Sequence, residues 1–486
     1  MGQLLACSLT AAIGLLVCWS AIYLILRKER RTRGAPERGD MHHTHRKPVS
    51  RLGGVALAAS FLVVTVLAFA RGNEGLAPDQ HPAAFVALAL GMFLVGLWDD
   101  IRPLGARKKL LSQVIVAILA SCAGFSISVV GLPFTRESLD LGWWSLPVTV
   151  LWLVSMTNLI NLVDGLDGLA GGISLMLMIL LVYVGLAGQQ LVVVAAGMAG
   201  ALMGFLWFNF PPARIYMGDG GAYFLGFLVG LMAIVNSNKG TVLAALTAPL
   251  FVLALPILDT SLAILRRGTQ GLPVFRPDRK HLHHRLLSMG FSRRRIVLGF
   301  YLLTLLFLVM AFLAFSTRGQ LVPLLLGVLV LVILVTAGQL DFSREWFAVG
   351  RVLGSSIEMR KDVQYALALS KWLEMEAERA SSPDALFEDF AFMAQKLGFT
   401  HLRLRHHNLV RTWSNTPGVA PVKEWHHALG PGERDSVSLG ITQEGSSSDK
   451  TLEVLGELAA EAWFKAARRL EKTRNCTVFP SSLSLS

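Results

Sequence analysis

Residues 158–172 read NLINLVDGLDGLAGG, and they decide the fold because they join two apolar segments. The segment before them, residues 145–157, reads SLPVTVLWLVSMT, and the segment after them, residues 173–187, reads ISLMLMILLVYVGLA. Asp164 and Asp167 therefore lie where two predicted membrane-spanning helices meet. An Asp at the centre of such a helix costs roughly 2.5–3.5 kcal/mol on insertion, so each of these acids requires a partner or a function.

The composition of the whole chain excludes an ordinary soluble protein. Of its 486 residues, 53% are hydrophobic and 16% are charged, and the mean hydropathy is +0.53. Residues 1–340 contain 27 Lys and Arg against 14 Asp and Glu, whereas residues 341–486 contain 18 and 19. The basic charge belongs to the apolar part, which favours a basic membrane face or an anionic substrate over nucleic-acid binding.

Apolar runs of about 20 residues predict an all-α polytopic membrane domain, residues 1–340, with about eleven transmembrane helices. The predicted spans are 4–26, 52–70, 83–98, 109–130, 146–162, 170–187, 190–208, 221–236, 242–265, 296–315 and 320–338. The loops that follow odd-numbered spans contain 23 Lys and Arg, and the alternate loops contain 4. Because positively charged loops stay in the cytoplasm, we expect the N-terminus outside and residues 341–486 inside.

The acidic residues of the membrane domain gather on one predicted face. Four of the fourteen lie in outer loops, and the others lie in or beside cytoplasmic loops. Six of these adjoin apolar segments, namely Asp99, Asp100, Asp164, Asp167, Asp219 and Asp259. This distribution predicts a cytoplasmic cleft that binds a cation and a polyanion together.

Each acidic motif also has a structural interpretation. Asp99 and Asp100 point about 100° apart on a helix, so one could face the cleft as a general base; the alternative is an acid pair balanced by nearby Lys and Arg. Asp164 and Asp167 share a face of a helical turn. The glycines around them could present amides to a phosphate, or could simply make a tight turn.

Three further motifs point to a phosphorylated ligand. Asp219 lies between glycines and suits Mg²⁺, which takes one or two carboxylates plus substrate phosphates; it could also cap the eighth helix. Tyr216 could stack on a base or belong to an aromatic belt. Arg51 precedes a glycine pair that permits close backbone approach. Residues 266–295 contain nine basic residues, which favours a pyrophosphate clamp.

Four motifs in this order resemble the polyprenyl-phosphate N-acetylhexosamine-1-phosphate transferases. They are DD at 99–100, NLINLVDGLDGLAGG at 158–172, YMGDGGAYFLG at 216–226 and HLHHRLL at 281–287. The His-x-His-His form, followed by GFSRRR, resembles most the undecaprenyl-phosphate GlcNAc-1-phosphate transferases. The relatives that transfer phospho-MurNAc-pentapeptide tend to have three consecutive histidines, which Leu282 interrupts here.

The resemblance implies that the protein transfers GlcNAc-1-phosphate from UDP-GlcNAc to undecaprenyl phosphate and releases UMP. This is the first membrane step of a cell-envelope polysaccharide, such as lipopolysaccharide or teichoic acid, at the cytoplasmic face of a bacterial inner membrane. The implied cofactor is Mg²⁺, with Mn²⁺ as the alternative, bound by Asn161 and Asp219. Two other interpretations stay open: phospho-MurNAc-pentapeptide transfer, and a transporter with intramembrane acidic ion sites, although transporters place such sites near the bilayer midplane.

The resemblance also implies roles for individual residues. Asp99 would deprotonate or orient the lipid phosphate, Asp167 would contact uridine, and Tyr216 would stack on uracil. The implied catalytic residues are Asp99, Asp100, Asp164 and Asp219, and the implied substrate-binding residues are Asn158, Asp167, Tyr216, His281, His283, His284 and Arg51.

Residues 341–486 extend beyond the resemblance. Amphipathic patterns predict helices over 358–380, 384–397 and 449–472. HLRLRHHNLVRTW, from residue 401, predicts one half-buried strand, and 435–442 predicts another. We therefore expect a cytoplasmic α+β domain, distantly GAF-like, whose function the sequence does not indicate. The oligomeric state is also open, with a homodimer among the alternatives.

Overall fold

The computed structural model describes most of the chain. The main described ranges are 2–32, 49–70, 80–131, 138–188, 191–237, 289–317, 342–406, 409–428, 435–442 and 449–474. The chain divides into two compact units, whose main boundary lies between Thr336 and Ala337.

Long helices make up the first unit. In the described residues they are α1 (Gly2–Thr32), α2 (Gly53–Ala70), α3 (Pro82–Ile101), α4 (Ala106–Cys122), α5 (Ser145–Val163), α6 (Leu169–Gly188), α7 (Val192–Asn209), α8 (Gly218–Ser237) and α9 (Arg293–Ser316). A short antiparallel hairpin, β1 (Val129–Gly131) and β2 (Ser138–Asp140), lies between α4 and α5.

Eight of these helices are long and apolar enough to cross a membrane, and α4, at 17 residues, is shorter. The expected helical membrane protein with strands in a C-terminal region is confirmed. The β1–β2 hairpin was not predicted, since the expected fourth span ran to residue 130. The number of eleven transmembrane helices stays a prediction, because the expected spans 242–265 and 320–338 fall largely outside the described residues. The orientation in the membrane also stays a prediction.

Helices α7 and α8 form the buried centre of the unit. Lipid tails are as apolar as helix side chains, so the hydrophobic effect does not favour helix association inside a membrane. Close packing there depends on small residues that let backbones approach. In α7, a Cβ added at Gly204 would lie 2.7 Å from the Leu15 carbonyl oxygen of α1. In α3, a Cβ added at Gly96 would lie 2.7 Å from the Gly220 Cα at the start of α8. These glycines therefore set the helix spacing around the loops that connect α7 to α8 and α3 to α4.

The segment before α2 pairs with the segment before α8. The Tyr216 N–H donates to the Ser50 carbonyl at 2.7 Å, and the N–H groups of Gly53 and Gly54 donate to the carbonyls of Tyr216 and Met217 at 3.0 and 2.9 Å. A side chain at either glycine would collide with the α7–α8 connection or with α8 itself. This pairing fixes the position of the backbone on both sides of Arg51.

In its described residues, the second unit contains three helices and one four-stranded sheet. The elements are α10 (Phe342–Arg379), α11 (Pro383–Lys396), β3 (His401–His406), β4 (Leu409–Ser414), β5 (Lys423–Ala428), β6 (Asp435–Ile441) and α12 (Asp449–Arg474). The strands are antiparallel in the order β4-β3-β6-β5. One face of the sheet, with Leu402, Leu404 and Leu439, belongs to the same buried core as Phe390 of α11 and Trp463 of α12.

Two details of this unit differ from the sequence prediction. The run HLRLRHHNLVRTW is two paired strands, β3 and β4, and the prediction of a single strand was wrong. The alternation of the run is interrupted by four consecutive polar residues, 405–408, a signal for a chain reversal that the single-strand prediction did not use. Strand β5 was not predicted, because KEWHHA lies at the sheet edge and has a weak apolar pattern.

The close approach of α3 and α8 gives a first prediction. Replacing Gly96 with Ala should lower the thermal unfolding midpoint of the detergent-purified protein, because overpacking at a fixed contact costs about 1–3 kcal/mol. Gly91→Ala on the same helix is the matched control, since no atom lies within 4 Å of a Cβ added there. Equal midpoints for the two variants would contradict the packing described for α3 and α8.

Candidate active site

Five segments at helix ends surround one cavity of about 450 Å³. Its walls come from the segment before α2, the end of α3, the α5–α6 loop, the α7–α8 loop and the start of α9. The described lining residues are Arg51, Asp100, Asp164, Gly165, Leu166, Asp167, Asn209, Tyr216, Gly218, Asp219 and Arg293. Six residues that the sequence analysis proposed as site residues are thus brought together, although they are spread over 169 positions of the chain.

Asp100 holds the first turn of α8. Its Oδ1 accepts a hydrogen bond from the Asp219 N–H at 3.0 Å, and its Oδ2 accepts one from the Gly220 N–H at 2.9 Å. The first N–H groups of a helix have no partner within the helix, and a carboxylate also matches the positive end of the helix dipole. Asp100 therefore caps α8 from another helix and fixes the position of Asp219.

Asp99 lies behind the cavity wall and is only 4% exposed. Its Oδ1 accepts the Leu104 N–H at 2.7 Å, and its Oδ2 pairs with the Lys109 ammonium and lies 3.4 Å from the donating Tyr223 hydroxyl. Of the adjacent pair, Asp100 is the acid that lines the cavity, while Asp99 has the cationic partner. The role of Asp99 toward the lipid phosphate stays a prediction.

Lys109 joins two of the acids that the sequence analysis treated separately. Its ammonium contacts Asp99 and lies 3.3 Å from Asp219 Oδ2. From the sequence alone, this lysine is one of several charges that could balance the Asp99–Asp100 pair. Its position at the start of α4 is set by the turn after α3, so no residue spacing identifies it as part of the site.

Asp164 lies in the α5–α6 loop, where negative charge is most crowded. Burial raises its pKa well above the ordinary value, and the charges of Asp219, Asp100 and Asp167 raise it further, while Arg51 lowers it. The ionised form of Asp164 is therefore costly in this cluster of acids. A bound cation would remove this cost, because an opposite charge favours the ionised carboxylate.

The loop that carries Asp164 and Asp167 is fastened to the α7–α8 connection. Asp167 Oδ2 accepts the Ala213 N–H at 3.2 Å and lies 3.9 Å from the Arg293 guanidinium. The buried amide of Asn209 accepts the Gly168 N–H at 2.9 Å and donates to the Ile215 carbonyl at 2.8 Å. No sequence pattern identifies Asn209 as part of the site, because its contacts connect two loops and follow no periodicity.

Several proposed residues lie elsewhere or outside the described chain. Asn158 donates both amide hydrogens, to Gln113 Oε1 at 2.7 Å and to the Val154 carbonyl at 2.8 Å, so it joins α5 to α4. Neither Asn158 nor Asn161 is among the described residues that line the cavity. His281, His283, His284 and Asp259 lie outside the described residues.

The donor set of the cavity fits a hard divalent cation. Among the residues that the structure describes, no group of three or more His, Cys, Asp or Glu side chains is arranged to hold a metal ion by itself. Mg²⁺ does not need such a group, since one or two carboxylates plus phosphate oxygens are its usual ligands. Asp164 and Asp219 both line the cavity and could supply the carboxylates.

The chain is similar in sequence to known membrane transferases. Residues 82–237 match the family described as Glycosyl transferase family 4. The chain is 34% identical over 280 residues to the Probable undecaprenyl-phosphate N-acetylglucosaminyl 1-phosphate transferase of Bacillus subtilis, covering 57% of this chain and 76% of that relative.

Two further relatives extend the comparison. The Decaprenyl-phosphate N-acetylglucosaminephosphotransferase of Mycobacterium tuberculosis is 34% identical over 299 residues, which are 55% of this chain and 72% of that protein. The Phospho-N-acetylmuramoyl-pentapeptide-transferase of Moorella thermoacetica is 34% identical over 312 residues, which are 61% of this chain and 93% of that protein.

The capping contact of Asp100 gives a second prediction. Asp100→Asn keeps one oxygen that can accept from the first turn of α8, whereas Asp100→Ala keeps none. Because lost helix caps cost about 0.5–2 kcal/mol, the Ala variant should unfold at a lower temperature than the Asn variant. Both variants lack the charge, so thermal unfolding compares the hydrogen bonds alone, and equal midpoints would contradict the capping role.

The crowding around Asp164 gives a third prediction, with a defined sign. Its raised pKa means that folding favours the neutral carboxyl, so the ionised form destabilises the folded protein above the ordinary pKa. In buffer with EDTA at pH 7.5, Asp164→Asn should therefore unfold at a higher temperature than the parent. The difference should shrink as the pH falls toward about 4 and vanish below about 3, where Asp164 is neutral in both the folded and the unfolded protein.

The control for this measurement is Asp140→Asn. Asp140 lies in the β1–β2 hairpin and does not line the cavity, and among the described residues its exposed carboxylate accepts from the nearby Gly142 N–H. Its substitution should produce no comparable stabilisation. An Asp164→Asn variant that is less stable than the parent at pH 7.5 would show that the crowding is not the dominant effect.

Proposed function

Because the chain belongs to glycosyl transferase family 4, we propose that it transfers GlcNAc-1-phosphate from UDP-GlcNAc to undecaprenyl phosphate and releases UMP. The resemblance inferred from the four motifs is confirmed by the family match and by relatives with this type of activity. The apolar helices and these relatives also establish a multi-pass membrane protein.

One observation carries the proposal, namely a cavity at helix ends that combines carboxylates with arginines. Asp164 and Asp219 could hold a cation, while Arg51 and Arg293 offer fixed positive charge to phosphate oxygens. The reaction brings two anions together, so preorganised positive charge is the main assistance that the protein can supply. A lipid headgroup and a nucleotide can meet at such a cavity because it lies where helices end.

In the proposed reaction, an oxygen of the lipid phosphate attacks the β-phosphorus of UDP-GlcNAc. A new phosphoanhydride bond forms, the bond from this phosphorus to the bridging oxygen breaks, and UMP leaves with the electron pair. The second pKa of a phosphate monoester is about 6, so the lipid phosphate is mostly a dianion at neutral pH. The attack therefore does not depend on proton removal by Asp99 or Asp100.

The cavity residues then have distinct tasks. Asp219 and Asp164 would hold Mg²⁺, which supplies charge neutralisation at the diphosphate. Asp100 and Lys109 keep Asp219 in place. Tyr216, at 36% exposure, has a face available for the uracil ring, and Asp167 lies in the adjacent loop.

The proposal also specifies which sugar the donor carries and on which face of the membrane the cavity lies. The His-x-His-His spacing favours UDP-GlcNAc, although the Moorella thermoacetica relative is named for phospho-MurNAc-pentapeptide transfer. The bacterial relatives favour an inner membrane, and the excess of Lys and Arg in alternate loops favours a cavity on its cytoplasmic side. Both parts are open to direct measurement.

The decisive experiment uses purified protein with Mg²⁺, undecaprenyl phosphate and radiolabelled UDP-GlcNAc. We expect label in the lipid phase and one UMP released for each label transferred, with loss of both on adding EDTA. A parallel reaction with UDP-MurNAc-pentapeptide tests the second donor. Transfer only from that donor would overturn the sugar assignment, and absence of UMP from every UDP-sugar would favour a transporter.

Asp219→Ala gives the fourth prediction, on activity. Removing the carboxylate that both lines the cavity and contacts Lys109 should lower kcat by at least about 100-fold, a typical loss for a group that stabilises developing charge. Asp140→Ala is the control, which should retain activity. Unchanged turnover in the Asp219 variant would remove this residue from the proposed metal site.

A further inference from the structure

Tyr301, on the third turn of α9, contacts the loop that carries Asp164 and Asp167. Its hydroxyl donates a hydrogen bond of 2.5 Å to the Gly168 carbonyl oxygen. The two residues are 133 positions apart. Tyr301 does not line the cavity, so any effect on substrate must act through this loop.

The Gly168 peptide groups are held from two sides. Asn209 Oδ1 accepts the Gly168 N–H at 2.9 Å, while the Gly168 carbonyl accepts from Tyr301 and from the Gly172 N–H at 2.9 Å. Gly168 has φ +80°, a conformation that other residues rarely adopt. The backbone directly after Asp167 is therefore fixed by conformation and by three hydrogen bonds.

Gly172 makes the Tyr301 contact possible. A Cβ added at Gly172 would overlap the ring and the hydroxyl of Tyr301, so the ring lies directly against the backbone of α6. The neighbouring Gly171 faces α7 instead, where a Cβ would lie 3.3 Å from the Phe205 ring. The glycine pair at the end of NLINLVDGLDGLAGG thus serves two different helix contacts.

The start of α9 binds both loops of the cavity. Besides the Tyr301 bond, the Arg293 guanidinium lies 3.9 Å from Asp167 Oδ2, and Arg294 Nε donates to the Pro211 carbonyl at 2.8 Å. Arg293 and Arg294 are exposed or partly exposed, whereas Tyr301 is partly buried against α6. Tyr301 is thus the most shielded of the three contacts between α9 and these loops.

We infer that Tyr301 is a positioning residue for the nucleotide-sugar donor, acting by fixing residues 164–168 so that Asp164 and Asp167 face the cavity. This inference rests on the proposed function, because the donor is the ligand that the loop would meet. The lipid acceptor also needs the cavity but has no assigned contact with this loop. Loss of the Tyr301 hydroxyl should therefore affect the two substrates unequally.

The principal test is Tyr301→Phe, which removes one hydroxyl and keeps the ring. One hydrogen bond of ordinary strength corresponds to a change of about three- to tenfold, so KM for UDP-GlcNAc should rise by about that factor. KM for undecaprenyl phosphate should stay unchanged. A purely structural role would reduce the amount of active enzyme, which lowers the apparent kcat and leaves both KM values as they were.

Tyr183→Phe is the matched control. Tyr183 lies on α6, and its ring packs against Phe312 of α9 with centroids 4.8 Å apart, so it belongs to the same helix pair. The substitution keeps that ring contact and lies far along α6 from residues 164–168. Both KM values should match the parent.

A second variant, Gly172→Ala, tests the same contact from the other side. The added methyl group displaces the Tyr301 ring, so the donor KM should rise as in Tyr301→Phe. The double variant should be no worse than Gly172→Ala alone, because both changes remove one hydrogen bond. Fully multiplicative effects would show that the two residues act independently and would overturn the inference.

Hydrogen–deuterium exchange of residues 164–172 supplies a readout that does not depend on turnover. Tyr301→Phe should accelerate exchange of these amides in the complete protein, and Tyr183→Phe should not. Faster exchange with a raised donor KM supports the inference, and an unchanged donor KM in an active variant overturns it. If the parent transfers sugar phosphate from no UDP-sugar, the proposed function fails, and exchange alone then decides whether Tyr301 positions the loop.

Discussion

The hydrogen bonds from the first turn of α8 to Asp100 are the constraint on which the cavity depends. They attach α8 to the end of α3, where Gly96 lets the two backbones approach, and they determine where Asp219 points. The pairing of the segments around Arg51 and Tyr216 brings a third part of the chain to the same place. Backbone groups, more than side-chain packing, thus assemble the acids.

The acidic side chains of the site repel one another, and this repulsion destabilises the folded protein. Asp100, Asp164, Asp167 and Asp219 share one cavity, and the pKa of Asp164 shows the resulting cost. Lys109 offsets part of this repulsion from behind the wall, and the arginines offset part of it from the rim. Strongly perturbed pKa values cluster at functional sites, so this group of acids is itself an indication of a binding site.

Sequence alone predicted the helical membrane class and six of the cavity residues, because apolar length and the one-sided distribution of acids are local signals. It did not identify Lys109, Asn209 or Tyr301, since each acts through a contact far away in the chain. Asn158 was selected for its motif, yet its amide hydrogens are used between α4 and α5. The β3–β4 hairpin was taken as one strand although the polar residues 405–408 interrupt the alternation between its two halves.

The cap on α8 also has a consequence for biosynthesis. Asp100 and Asp219 are 119 positions apart, so at about 5–20 residues per second the carboxylate waits roughly 6–24 s for its partner to leave the ribosome. During that interval the Asp100 carboxylate has no hydrogen-bond donor from α8. Water at the bilayer surface can donate to it instead, whereas the hydrocarbon interior offers no donor. A site assembled from distant segments is therefore easier to produce where water reaches the nascent helix ends, which gives a biogenesis reason, separate from substrate access, for keeping its acids at the margin of the membrane.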